Sequence, residues 1–254
     1  MSESTLRGST TTARMDASFY EGHDLEALAE IPNYYQWILE NFRDHLKGKV
    51  VEVGAGLGHA AALYADAVEQ LLLLEPAENL YQSLANRFAS NPRVTTRCGL
   101  LEDLYAEEFG NPGTGGAPYD AALLMNVLEH VEDDAGMLRT VFKMLRPGGA
   151  LLLFVPALPF LYGSFDSQVG HLRRYTRAGL TQQVRETGFE PRIVKYFDLL
   201  GVLPWLIVGR VFRRGHNERA AQIYGRFAVP IGRALELRIP PPIGKNLILI
   251  ARRN

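Results

Sequence analysis

The chain alternates short apolar runs with segments in which apolar residues recur at helical spacing. Its central runs, such as residues 150–155, are continuously apolar, which is typical of strands covered by helices on both faces. The pattern predicts strands at residues 49–53, 68–74, 93–97, 119–125, 150–155, 191–197 and 246–251. It predicts helices at residues 24–46, with a break at Pro32, and at 60–67, 77–88, 133–145 and 177–187. This alternation predicts an α/β fold with a doubly wound, mostly parallel sheet.

Composition and charge exclude several classes of protein. Hydrophobic residues make up 47% of the 254 residues, which is enough for a sizeable core and excludes wholesale disorder. The 27 Lys and Arg against 28 Asp and Glu create no basic field, so we expect no nucleic-acid partner. The single cysteine, Cys98, excludes an intrachain disulfide framework and predicts a cytoplasmic location. Cys98 itself is expected to be a small buried hydrophobic residue.

One segment is a candidate for contact with a membrane surface. No apolar stretch reaches the roughly 18–20 uncharged residues of a membrane-spanning helix. The segment 199–214 joins large apolar residues to Arg210, Arg213 and Arg214. It would suit a peripheral membrane contact or a dimer contact, and packing on the domain itself is the alternative.

A glycine-rich turn follows the first predicted strand and carries the most specific signal. Gly54, Gly56 and Gly58 lack Cβ atoms, so a ligand can approach the backbone closely there. Glu52 precedes the turn, and Glu75 ends the second predicted strand, where a carboxylate can accept both hydroxyls of a ribose. The dinucleotide fingerprint would need a further glycine at position 59, which is His59.

These residues together resemble the class I S-adenosylmethionine-dependent methyltransferases. The first motif of that family, E/D-x-G-x-G-x-G, is matched by Glu52, Gly54, Gly56 and Gly58. The resemblance continues through Glu75 and through residues 98–103, 120–128 and 146–149, so that it covers residues 49–155. It implies a Rossmann-like sheet of seven strands with an antiparallel last strand. It also implies S-adenosyl-L-methionine as cofactor, with S-adenosylhomocysteine as product.

The resemblance also implies which residues hold the cofactor. They are Tyr34, Glu52, Gly54, Ala55, Gly56, Gly58, Glu75, Pro76, Leu101, Glu102, Asn126 and Val127. Tyr34 and Tyr35 lie on an N-terminal segment that often closes over the cofactor in this fold, and plain packing against the sheet is the alternative for both.

Candidate acceptor contacts cluster after the fifth predicted strand, where open α/β sheets bind ligands. They are Tyr162, His171, Arg173 and Arg174, with His130 after the fourth strand. His171 could serve as a base near neutral pH, and an arginine could clamp an anionic group. Alternatively, the arginines pair with Asp166 and nearby carbonyl groups. His130 either contacts the acceptor, caps the next helix or pairs with Glu129. The six histidines show no metal-ligand spacing, so no metal is expected.

We therefore predict four parts in the chain. Residues 1–15 are expected to be a disordered tail without the apolar run of a signal peptide, and residues 16–48 an N-terminal helical cap. Residues 49–156 are expected to form the Rossmann-like cofactor-binding core. Residues 157–254 are expected to hold an acceptor-side lid, a helical insertion at 198–244 and the closing strands.

The predicted function is methyl transfer from S-adenosylmethionine to a small-molecule acceptor. Oxygen methylation is favoured, on an anionic or lipid-linked molecule. Residues 126–130 and 170–175 also resemble a subgroup of bacterial methyltransferases loosely described as acting on quinols or glycan-related substrates. Two alternatives remain open, an NAD-dependent Rossmann oxidoreductase and a non-catalytic S-adenosylmethionine-binding partner protein.

Overall fold

The structure is a computed structural model that describes residues 31–109, 118–207 and 222–254. It contains one sheet of seven strands, with the order β3-β2-β1-β4-β5-β7-β6. The strands are β1 (Lys49–Val53), β2 (Gln70–Glu75), β3 (Val94–Cys98), β4 (Tyr119–Met125), β5 (Leu145–Pro156), β6 (Phe189–Phe197) and β7 (Asn246–Arg253). Strands β3, β2, β1, β4 and β5 pair in parallel, and β7 is antiparallel to both β5 and β6. The predicted fold class, including the antiparallel last strand, is confirmed.

Eight α-helices are described around this sheet. They are α1 (Pro32–Glu40), α2 (Glu78–Phe88), α3 (Leu101–Phe109), α4 (Asp134–Met144), α5 (Ser164–Gln168), α6 (Arg177–Glu186), α7 (Val202–Ile207) and α8 (Val229–Glu236). Short 3-10 turns lie at Ala61–Leu63, Ala65–Ala67, Leu128–His130 and Pro159–Leu161, and a π-helical segment, Tyr224–Ala228, leads into α8. No helix among the described residues is both long and apolar enough to cross a membrane.

Each face of the sheet has its own apolar layer because side chains alternate along every strand. On one face, Val50 and Leu123 pack with Trp37 and Ile38 of α1. On the other face, alternate strand residues pack with α3, α4 and α6. All four residues from Leu71 to Leu74 of β2 are buried, as expected for a strand with helices on both sides.

Local sequence explains where several helices begin. Helix α1 begins at Pro32, whose fixed φ and missing N–H suit the first helical position. The Asp133 carboxylate accepts a hydrogen bond from Gly136 N at 2.8 Å and caps α4. The Thr176 hydroxyl accepts one from Gly179 N at 3.0 Å and caps α6.

Several sequence predictions differ from the observed elements, and α1 ends at Glu40 instead of residue 46. Residues 60–67 form two 3-10 turns, Ala61–Leu63 and Ala65–Ala67, instead of one helix, and the chain is extended again at Val68. Helices α3 and α5 were not predicted, and β5 begins at Leu145 instead of residue 150. The predicted tail at 1–15, the start of the helix predicted at 24–46, and residues 208–221 of the insertion lie outside the described residues.

The carboxyl ends of β1, β2, β4 and β5 meet at one edge of the sheet because these strands are parallel. The glycine turn follows β1 at this edge, Glu75 ends β2, and Asn126 follows β4. The segment that carries the candidate residues after β5 also starts at this edge. The fold therefore brings the predicted cofactor and acceptor residues to one side of the molecule.

Candidate active site

The glycine turn packs directly against the segment that follows β4. Gly54 has a φ of +69°, and a Cβ atom there would lie 2.6 Å from Val127 Cγ2. Gly58 has a φ of +73°, and its Cβ would lie 2.6 Å from a ring carbon of Phe88. Both positions therefore require glycine, for the left-handed backbone and for the close approach.

Glu75 joins the end of β2 to the glycine turn. Its carboxylate accepts hydrogen bonds from Gly56 N at 2.8 Å and from Ala77 N at 2.9 Å. Burial raises the pKa of Glu75, although the two backbone hydrogen bonds act in the opposite direction. The side chain is only 5% exposed, so its remaining lone pairs form a fixed set of acceptors beside the turn.

Glu52 lies inside β1, beneath the turn. Its side chain is buried, and the Tyr64 hydroxyl donates to Glu52 Oε2 at 2.5 Å. Burial raises the pKa of Glu52 to about 7, despite the hydrogen bond from Tyr64. At neutral pH this carboxyl group is therefore close to the midpoint of its titration.

Three titratable side chains meet beyond β4, and we call Glu129, His130 and His171 the acceptor cluster. The His130 and His171 rings meet edge to face, with 4.8 Å between centroids. His171 Nε2 lies 3.7 Å from Glu129 Oε1. Burial, with the charge of His171 nearby, lowers the pKa of His130 to about 4. Burial also raises the pKa of Glu129 to about 7, despite the proximity of His171.

Asp166 fixes the orientation of His171. His171 Nδ1 and Asp166 Oδ1 are 2.8 Å apart. Although burial opposes it, hydrogen bonds from His171 and Arg174 hold the pKa of Asp166 below its usual value. An ionised carboxylate only accepts hydrogen bonds, so His171 Nδ1 donates to Asp166, and Nε2 is the ring nitrogen on the side of Glu129.

Both candidate arginines have partners within the protein. Arg174 is buried and donates to Asp166 Oδ1 at 2.8 Å and to the Ala157 carbonyl at 3.0 Å. Arg173 pairs with Asp134 at 2.9 Å and donates to the Glu132 carbonyl at 3.2 Å. Arg174 thus follows the alternative in which the arginines pair with Asp166 and nearby carbonyl groups, whereas the carboxylate partner of Arg173 is Asp134. The side chain of Arg173 remains 34% exposed, whereas that of Arg174 is 1% exposed.

Tyr162 lies at the rim of the same segment. Its hydroxyl donates to the His171 carbonyl at 2.8 Å and lies 3.3 Å from Ser167 Oγ. The ring is 37% exposed, so it is accessible to a ligand at this edge. Its hydrogen bond also fixes the backbone at His171.

Comparison with known proteins settles the family. The family model described as a methyltransferase domain matches residues 22–193. The chain belongs to the methyltransferase domain family. This confirms the resemblance to class I S-adenosylmethionine-dependent methyltransferases, and with it S-adenosylmethionine as the cofactor. It contradicts the NAD-dependent oxidoreductase alternative.

Individual relatives are similar over part of their length. A probable S-adenosylmethionine-dependent methyltransferase of Mycolicibacterium smegmatis is 31% identical over 155 residues, 60% of this chain and 54% of the relative. A ubiquinone biosynthesis O-methyltransferase of Xanthomonas oryzae pv. oryzae is 31% identical over 106 residues, 41% of each chain. This chain thus spans about half the length of the curated relatives it matches. An S-adenosylmethionine dependent methyltransferase structure from Mesorhizobium loti shares the fold, with a TM-score of 0.56 at 17% identity, over 85% of this chain and 98% of that one.

The residues of this domain at the carboxyl edge fit the cofactor. Gly99, after β3, has a φ of +142° and no atom within 4 Å of its Cβ position, so open space adjoins the end of β2. Gly99 N donates to the backbone carbonyl of Glu75 at 3.1 Å, so this open position adjoins the backbone at the end of β2. The turn, the fixed carboxylate and the open space together suit an adenosine with a charged tail.

The remaining predicted cofactor residues lie on neighbouring turns of this edge. Ala55 is buried, and its N–H donates to the Leu74 carbonyl at 3.0 Å. Pro76 follows Glu75 and is partly buried. Leu101 is buried at the start of α3, and Glu102 beside it is exposed.

Asn126 turns the chain after β4. It has a φ of 52°, and its N–H donates to the Phe154 carbonyl at 2.8 Å. The turn places Val127 against Gly54 and leads to the acceptor cluster at Glu129 and His130.

Two expectations need correction. The Tyr34 hydroxyl donates to Asp198 at 2.9 Å and Asn246 at 3.3 Å, beside the ends of β6 and β7, so it is engaged there instead of at the glycine turn. Tyr35, by contrast, stacks on His59 of the turn at 6.4 Å. Cys98 is exposed, with its Sγ 3.1 Å from a Glu78 carboxylate oxygen, because β3 is an edge strand.

Sequence reasoning missed two residues of this site as functional candidates. Glu129 and Asp166 are both fully buried carboxylates, yet each was considered only as a partner of another residue. The signal that identifies them is their burial beside histidines, which only the fold reveals.

Proposed function

We propose that this methyltransferase transfers the methyl group of S-adenosylmethionine to an oxygen atom of a small-molecule acceptor. The observation that supports this best is the contact of Gly54 with Val127, because the acceptor cluster begins two residues after Val127. The cofactor turn and the cluster of titratable side chains are thereby neighbours. The ubiquinone biosynthesis O-methyltransferases among the relatives also favour oxygen as the methylated atom.

S-adenosylmethionine, when bound, supplies an electrophilic methyl group on a positively charged sulfur. The protein must bind this cofactor, orient the acceptor and handle the proton of the acceptor hydroxyl. Glu75 and the glycine turn would provide the binding. An oxygen acceptor that arrives as a hydroxyl must lose its proton, and the resulting negative oxygen must be stabilised. The acceptor cluster provides titratable groups for this step.

The surroundings of the cluster indicate an acceptor with a negative or strongly polar group. The side chain of Arg173 is partly exposed beside its Asp134 partner, so we assign it to the acceptor. Arg174 is buried, so we assign it the role of holding Asp166, and through Asp166 the ring of His171. Tyr162 would contact the acceptor from the rim.

We extend the proposal to the partners and the location of the protein. The balanced charge favours a small acceptor over nucleic acid. The single cysteine is consistent with a cytoplasmic location. The membrane or dimer contact predicted for residues 199–214 includes Leu199, Leu203 and Ile207, which are large apolar residues at exposed positions.

The test is a methyl-transfer assay with isotopically labelled S-adenosylmethionine and matched phenol, catechol, carboxylate and amine acceptors. We expect label in an O-methyl product, identified by mass spectrometry. The His171→Asn variant should lower kcat/KM by about 100-fold or more, the usual scale for loss of an acid–base group.

The matched control is His45→Gln, which removes a histidine after α1, near Arg252. It should retain the wild-type rate. Label in an N-methyl product would contradict oxygen methylation. Tight S-adenosylmethionine binding without transfer to any acceptor would favour the non-catalytic alternative.

A further inference from the structure

The acceptor cluster has the composition and the spacing of a metal site. Glu129, His130 and His171 each offer one ligand atom, and these atoms all lie within 4.8 Å of one another. Two ligand atoms of a tetrahedral zinc ion, each about 2.0–2.1 Å from the metal, lie about 3.4 Å apart. The observed 3.7 Å between His171 Nε2 and Glu129 Oε1 is close to that separation. Small side-chain shifts would therefore bring the three atoms around one ion.

Glu129 is a buried carboxylate whose nearest charged neighbour is His171, with 3.7 Å between Glu129 Oε1 and His171 Nε2. Its side chain is fully buried. Apart from a contact with its own backbone, neither carboxylate oxygen hydrogen-bonds to another group in the described part of the chain. Buried carboxylates are ordinarily paired, hydrogen-bonded or bound to a metal. The oxygens of Glu129 are thus available as ligands beside two histidines.

Each histidine of the cluster also forms a hydrogen bond through one of its ring nitrogens. Asp166 accepts from His171 Nδ1 at 2.8 Å, and a ring nitrogen of His130 hydrogen-bonds to the backbone of Gly170. Metal-ligating histidines characteristically donate their second N–H to a carboxylate or a backbone carbonyl, which fixes the tautomer. This arrangement leaves one nitrogen free on each ring.

From these three observations we infer that Glu129, His130 and His171 form a binding site for one divalent transition-metal ion. Two imidazoles and one carboxylate are a ligand set of catalytic zinc sites and of other first-row metals. Magnesium is disfavoured because it prefers oxygen ligands. Three protein ligands leave a position open for a further oxygen ligand.

The open coordination position can take the acceptor oxygen, a role for the ion that rests on the proposed function. A metal ion stabilises a bound oxygen as its anion, so an acceptor hydroxyl would lose its proton to solvent on binding. The negative oxygen would then be the nucleophile for the methyl group. His171 acts in this scheme as a ligand, and Asp166 as the positioning residue that orients it.

The experiment measures metal binding without cofactor or acceptor. The full chain is dialysed against a chelator and titrated with Zn²⁺ by calorimetry, with the bound ion counted by elemental analysis. We expect one ion per chain. His171→Asn should weaken binding by more than about 100-fold, since loss of an outer partner alone costs about 10–100-fold. Glu129→Gln should weaken it by at least about 10-fold.

The control is again His45→Gln, which should bind Zn²⁺ as the wild type does. Circular dichroism shows whether each variant is folded. If His171→Asn does not fold, Co²⁺ bound to the wild type decides, because a tetrahedral site gives an intense visible spectrum. Substoichiometric binding, equal binding by His171→Asn, a weak octahedral-type spectrum or loss of binding in the control would overturn the site.

The metal site and the methyl transfer can fail separately. Stoichiometric Zn²⁺ binding without any O-methyl product would contradict the proposed function and leave the site standing. Full methyl transfer by the chelator-treated protein, with the ion shown to be absent, would overturn the role of the ion.

Discussion

Replacement of Glu52 by Gln should change how the stability of the protein depends on pH. The pKa of Glu52 rises from its ordinary value of 4.5 to about 7 because the side chain is buried. Between these values the folded protein retains a proton that the unfolded chain has released. The free energy of unfolding therefore falls as the pH rises through this range. Each unit of pKa corresponds to about 1.4 kcal/mol, so the loss is about 3 kcal/mol.

Glutamine does not titrate and can still accept the hydrogen bond from Tyr64. The stability difference between the variant and the wild type should therefore increase by about 3 kcal/mol from about pH 4.5 to pH 8. Urea unfolding of the cofactor-free protein at several pH values, followed by tryptophan fluorescence, measures this difference. The other titrating groups are common to both proteins and largely cancel.

The control for this experiment is Glu69→Gln, at an exposed position just before β2. Its stability difference from the wild type should stay constant with pH. A constant difference for Glu52→Gln as well would refute the buried, proton-retaining carboxyl group.

Three further substitutions test the turn and its surroundings. Glu75→Ala should weaken S-adenosylmethionine binding by about 1–3 kcal/mol in calorimetry, and unchanged affinity in a folded variant would remove Glu75 from the site. Gly54→Ala should lower Tm, because its φ of +69° costs about 1–2 kcal/mol for alanine and the methyl group meets Val127; an unchanged Tm would contradict the close contact. Tyr34→Phe should reduce the free energy of unfolding by about 1–2 kcal/mol through the lost hydrogen bond to Asp198, with cofactor affinity unchanged. Loss of affinity instead would return Tyr34 to the cofactor site.

The glycine turn was predictable because its signals are local. Positive φ values at Gly54 and Gly58 follow from a strand that must turn sharply at the sheet edge. Glu75 also ends a strand, so parallel pairing of β1 with β2 places it beside the turn. Short-range pattern and parallel topology together are sufficient for this part of the site.

The acceptor cluster was not predictable as a unit. Glu129 and His130 follow β4, whereas His171 comes from the segment after β5. Their contact depends on tertiary packing, including the hydrogen bond from Leu172 N to the Glu129 carbonyl at 2.8 Å. Glu129 and His130 are therefore far from His171 in the sequence, and the three residues do not have the short spacing of a metal-ligand motif.

Tyr34 and Cys98 differ from their predicted roles for the same kind of reason. Tyr34 was assigned from its place on the N-terminal segment, but Asp198, distant in sequence, accepts its hydroxyl. Cys98 was assigned from the average burial of cysteine, but its strand lies at the edge of the sheet. For both residues, the environment of the side chain depends on parts of the chain that are distant in sequence.

The most direct test of this account is calorimetric titration of the purified protein with S-adenosylmethionine, S-adenosylhomocysteine and NAD in parallel. The glycine turn, with Glu75 fixed beside it and open space at Gly99, predicts binding of the two adenosyl-sulfur ligands and none of NAD. Binding of NAD alone, or of none of the three, would contradict the assignment of this edge as the S-adenosylmethionine site.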